Sequence, residues 1–149
     1  MISEIKINYL LDVLWYSMEY KEDIRRGIMQ QYHLIEKQFI KHRLDFDTLL
    51  HELLKYDKIG PTIATGLIWV SYPNSVIPFD KFTTSYCIQK GYLRTPNVTD
   101  NYKAKCKKII KDLKARPIPI TVEEFVREAR HEIETNAKVD KILCVVNPT

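Results

Sequence analysis

Tyr56-Asp57-Lys58-Ile59-Gly60-Pro61-Thr62-Ile63-Ala64-Thr65-Gly66-Leu67-Ile68-Trp69-Val70-Ser71-Tyr72-Pro73-Asn74-Ser75-Val76-Ile77-Pro78-Phe79-Asp80 reads as a tight turn, an apolar helix, a loop and a carboxylate opening the next helix. Gly60 can adopt φ > 0 or admit a close partner. Pro61 suits the first helical position, where a missing N–H costs nothing. Ile63, Ala64, Leu67, Ile68 and Val70 make the following helix apolar nearly all round, as a buried helix is. Tyr72-Pro73-Asn74-Ser75 ends it with turn residues. Val76-Ile77-Pro78-Phe79 then runs extended and apolar up to Asp80.

Working outward, the upstream arm of this hairpin is a helix that Asp47 can cap, with Leu49, Leu50, Leu53 and Leu54 facing inward. Before it, residues 3–19 read as a helix with Ser3 as N-cap and Ile7, Leu10, Leu11, Leu14, Trp15 and Met18 at helical spacing. A second helix is predicted from about Lys21 to Lys41, with Ile24, Ile28, Tyr32, Ile35 and Phe39 on its buried face. Downstream, residues 80–90 read as a helix stopped by Gly91. Asp100 or Thr99 can cap the next one, which runs to about Ala115. It carries Tyr102, Cys106, Ile109 and Leu113 on one face and Lys103, Lys107, Lys111 and Lys114 on another. Pro117 and Pro119 break the chain. Thr121 with Glu124 is a capping box for an amphipathic helix through Ile133. The apolar stretch Val139 to Val146 fits either a short strand or a docked last helix. The fold expected is all-α: one domain over residues 1–149, a compact bundle of about six or seven helices containing a helix-hairpin-helix.

The hairpin and the spaced carboxylate resemble the helix-hairpin-helix DNA glycosylase superfamily, of the endonuclease III and adenine-mismatch glycosylase type. Ile59, Gly60, Ala64 and Asp80 match its pattern, and Thr62 and Asp80 stand at the family's separation. Asp57 and Lys58 depart from it, replacing the family's Pro and first Gly. The resemblance implies that Asp80 stabilises an oxocarbenium-like sugar and activates water as the base leaves. Thr62 occupies the position of the lyase Lys. A hydroxyl cannot form an imine, so a monofunctional glycosylase is implied. Read from the residues alone, Asp80 is also a good N-cap for the helix starting at Lys81. The stretch before the hairpin is shorter than the family's, so the base-reaching helix and wedge loop are expected to be largely missing. A DNA-binding module without catalysis, or a protein-interaction domain keeping only the fold, therefore stands beside the enzyme reading.

The expected partner is double-stranded DNA. Backbone amides around Ile59 to Ile63 open a helix N-terminus, where orphan donors and the dipole favour phosphate. Lys55, Lys58 and Lys81 add charge, and such contacts grip without reading sequence. A net charge of +4 permits an anionic partner. The lysine stripe after Asn101 reads either as a second contact or as a solvated helix face. Cys87, Cys106 and Cys144 are three and widely spaced, which fits reduced thiols in a cytoplasm. They cannot supply the four-cysteine iron–sulfur cluster of many relatives. His33, His42, His51 and His131 have no ligand spacing, so neither metal nor cofactor is expected. No apolar run is long enough to span a membrane and no signal peptide is read.

Overall fold

The apolar run after Pro61 forms the helix that the rest of the chain surrounds. A computed structural model describes residues 1–14 and 18–146; the side chains of residues 14, 18, 19 and 138–146 lie outside that description. In chain order the helices are α1 (Glu4–Leu14), α2 (Met18–Gln30), α3 (Tyr32–Lys41), α4 (Phe46–Leu53), α5 (Pro61–Ser71), α6 (Lys81–Gln89), α7 (Tyr102–Ala115) and α8 (Val122–Val146). Among the described residues there is no strand, so the chain is an all-α bundle.

Helix α5 is buried at every position from 63 to 71. It packs against α1 and α4, while α3 and α7 contact α4 and α8 contacts α6 and α7. Trp69, at 2% exposure, and Tyr102, fully buried, are among the largest core side chains. Truncating either aromatic to alanine costs about 3 to 5 kcal/mol on the usual scale for such cores. Tyr102 also donates its hydroxyl to the Ile77 carbonyl at 2.8 Å, which ties the extended 76–79 segment to α7.

Several boundaries differ from the expectation. The predicted helix over 21–41 is two helices, α2 and α3. At Gln31 (φ −109°, ψ 11°) the backbone N–H turns to the Ile28 carbonyl. The side-chain amide of Gln31 takes over the Gly27 carbonyl that the backbone would have used. Helix α4 is capped by Asp45, whose carboxylate accepts the Thr48 N–H, and not by Asp47. Asp47 instead accepts the Lys103 N–H at 3.0 Å and so serves the N-terminus of α7. Neither Asp100 nor Thr99 caps α7: Asn101 holds the N-cap position in the left-handed region, and Asp100 accepts from the Asn97 side chain.

Other local readings hold. Gly91 follows α6 at φ +80°, as a C′ glycine does. Thr121 and Glu124 form the reciprocal capping box. The backbone of residues 139–146 continues α8, so that stretch is helix and not strand. Trp15 and Tyr16, the Met18 side chain and the side chains of 139–146 with Cys144 lie outside the described residues. Among the described residues no helix is long and apolar enough to cross a membrane.

Candidate functional site

The turn between α4 and α5, residues 54–60, is where the sequence placed a hairpin. Gly60 is the N-cap of α5 with φ −95° and ψ −174°, and Pro61 follows at the first helical position. Gly60 therefore does not use the left-handed region. Lys58 does, at φ +65°, at the position where the resembled family carries glycine. A non-glycine residue there costs roughly 1 to 2 kcal/mol, so tertiary contacts must hold it.

The contacts made with this turn come from α2 and from its junction with α3. Lys58 Nζ lies 3.2 Å from the Asp23 carboxylate. The stem of Lys58 crosses Gly27 so closely that a Cβ at Gly27 would sit 2.7 Å from Lys58 Cγ. Gln31 bonds both the carbonyl and the N–H of Asp57. Sequence reasoning missed these three residues. The available signals were a glycine inside a helix, which costs about 1 kcal/mol against alanine and so needs a packing reason, and the i, i+4, i+8 spacing of Asp23, Gly27 and Gln31.

Around Gly60 the chain leaves donors unused. The N–H of Ile59 is taken by the Tyr56 carbonyl, and the side chains of Ile59 and Ile63 are buried anchors. The amides of Gly60, Thr62 and Ile63 have no protein acceptor among the described residues, and α5 has no side-chain N-cap. A Cβ added at Gly60 would meet nothing within 4 Å. Neither conformation nor internal packing asks for glycine there. The nearby cations are already engaged: Lys55 with Glu52 at 2.8 Å, Lys58 with Asp23, and Lys81 over the Phe82 ring at 5.0 Å.

Asp80 comes close to this turn. The Thr62 hydroxyl donates to the Phe79 carbonyl at 3.4 Å, and the Phe79 N–H donates to Thr65 Oγ1 at 2.9 Å. The first turn of α5 is thus stitched to the backbone just before Asp80. Asp80 itself is 5% exposed and caps α6. Its Oδ1 accepts the Thr83 N–H at 2.8 Å, while its own N–H donates to Thr83 Oγ1 at 2.9 Å. Its Oδ2 lies 4.0 Å from an Arg130 nitrogen, and the Arg130 guanidinium stands over Phe82. The carboxylate is committed to its helix N-terminus and to a cation.

Other candidate groups are not gathered here. The lysine stripe begins at the end of α4 remote from the turn, since Lys103 joins Asp47 in the first turn of α4. A groove of about 530 Å³ lined by Ile5, Tyr9, Trp69, Pro73 and Glu123 lies toward the opposite end of α5, about 13 Å along the helix from Gly60. Among the described residues no group of His, Cys, Asp or Glu is arranged to hold a metal ion. No protein-family model matches the chain, nor does any curated protein or solved structure.

Proposed function

We propose that this chain is a duplex-DNA-binding module that grips the phosphate backbone with the turn between α4 and α5, and that Asp80 serves it as a structural cap. The observation that carries the reading is Gly60. It is a glycine in extended conformation with open space about its missing Cβ, and among the described residues its own amide and those of Thr62 and Ile63 have no protein acceptors. A phosphate approaching that surface would find donors, a helix N-terminus and lysines within reach. The burial of Asp80 in a capping box favours binding over base excision, because a catalytic carboxylate must face the sugar and a water.

The test is duplex binding across a salt series. Neutralising two or three phosphates predicts a slope of log affinity on log salt of about −2 to −3, and Lys58→Glu should weaken binding at low salt. Absence of binding at low salt, or a flat salt series, would sink the proposal.

A second reading is a monofunctional glycosylase. It is favoured by the Thr62 to Phe79 contact, which brings the turn beside Asp80. A panel of duplexes with single lesions decides between the two. Base release that Asp80→Asn abolishes, without borohydride trapping, would put the enzyme reading ahead.

A further inference from the structure

Gln31 stands at the junction of α2 and α3, and one side chain there makes three hydrogen bonds. Its Nε2 donates to the Gly27 carbonyl at 3.0 Å and to the Asp57 carbonyl at 2.9 Å. Its Oε1 accepts the Asp57 N–H at 3.3 Å. Both amide protons are used, and the amide oxygen accepts. The first bond satisfies a carbonyl of the last turn of α2, a group helices leave orphaned. The other two hold both backbone polar groups of Asp57, the residue directly before the strained Lys58.

The remaining contacts of Lys58 with α2 do not set its backbone. The Asp23 pair reaches the tip of a long flexible chain, with both partners about half exposed. Gly27 only leaves room for the stem. Gln31 alone among these three grips the turn's main chain.

We propose that Gln31 is the positioning residue of the turn. It clamps Asp57 so that Lys58 stays left-handed and the amides of Gly60, Thr62 and Ile63 stay presented. The geometric part stands by itself; the consequence for binding rests on the duplex-binding function proposed above. A cap serving only the α2–α3 junction would need the bond to Gly27 and neither bond to Asp57.

The experiment uses the full chain, labelled for NMR. A residue at positive φ gives a strong intraresidue Hα–HN cross-peak, so Lys58 reports its own conformation. In the wild type the Gln31 side-chain amide protons should exchange slowly. Gln31→Met keeps the length of the side chain and removes its hydrogen bonds. It should weaken the Lys58 cross-peak while leaving helix content unchanged. Duplex affinity should fall about threefold to tenfold, as fewer molecules hold the competent turn. Gln31→Glu supplies a rescue. Ionised, it only accepts; protonated below about pH 4.3, it again offers a donor and an acceptor. The Lys58 signal should be weak at neutral pH and return in acid.

A Lys58 cross-peak unchanged in Gln31→Met overturns the proposal. So does a wild-type Gln31 amide exchanging as fast as free glutamine, a result that needs no variant to fold. If the wild type binds no duplex, the proposed function falls, and the Lys58 signal alone decides the clamp.

Discussion

Asp80 has two polar roles at once, and substitution separates them. As N-cap it accepts the Thr83 N–H, and its own backbone N–H donates to the Thr83 hydroxyl oxygen in return. Removing an N-cap side chain costs about 0.5 to 2 kcal/mol, and the buried Thr83 N–H would lose its partner as well. Asp80→Ala should therefore destabilise the protein by about 1 to 2 kcal/mol or more, with Asp80→Asn much closer to wild type because asparagine caps equally well. Urea midpoints of the three proteins check this; an alanine variant as stable as wild type would show that the capping box contributes nothing. Lys58 is the complementary case, a side chain whose charge is held by Asp23 in the free protein. Exposed pairs of this kind are worth about 0 to 1 kcal/mol. Asp23→Asn should thus release Lys58 and tighten duplex binding by up to about fivefold. Glu22→Gln, which removes the same charge one residue away, should do less. Equal effects from the two variants would mean that only net charge matters.

At the scale of elements, Glu128 of α8 ties together Tyr86 of α6 and Arg116 at the end of α7. Arg116 pairs with Glu128 through its two terminal guanidinium nitrogens, at 3.0 and 3.1 Å, and the Tyr86 hydroxyl donates to Glu128 at 2.9 Å. The Arg116 guanidinium, and after it the Tyr86 hydroxyl, hold the Glu128 carboxyl below its ordinary value of 4.5. Burial, and after it the Glu128 carboxylate, raise Tyr86. A carboxyl depressed in the folded state adds stability that is present above its unfolded pKa and lost as pH falls through the folded one. Glu128→Gln should therefore be less stable than wild type at pH 7. The difference should shrink on the acid side of about pH 4.5. Denaturation curves at pH 7 and pH 3 test it; a gap of constant size would remove the ionised pair from the account.

For the whole molecule, the core makes two thiols inert. Cys87 and Cys106 are fully buried, and burial pushes both up to about 12. Thiolate is the reactive form, so at pH 8 neither should be alkylated while the bundle is folded. A short iodoacetamide pulse with peptide mapping, run with and without denaturant, should label both only in the unfolded chain. Labelling of either in native buffer would mean that the bundle opens locally around α6 or α7.

What the sequence by itself determined is local. Gly60 and Pro61 set the start of α5, Asp80 the start of α6, Gly91 its end, and Thr121 with Glu124 the start of α8. Each of these signals acts within one helical turn, by capping, by a missing N–H or by a left-handed glycine. The all-α class follows from the same short-range pattern, because apolar residues at helical spacing need only a common core. What the tertiary structure decided lies between residues far apart in the chain. Gln31 meets Asp57 across 26 positions, and that contact accompanies the break of the predicted 21–41 helix and the left-handed turn at Lys58 rather than Gly60. Asp47 meets Lys103 across 56 positions, which is why the aspartate expected to cap α4 serves α7 instead. The site divides the same way. The position of Asp80 at a helix mouth was readable from a favoured cap residue before Lys81. Its burial was not, because the elements that close over it, α8 with Arg130 and the first turn of α5 with Thr62, come from distant parts of the chain. Capping is a property of a few neighbouring residues, whereas burial is a property of everything packed around them.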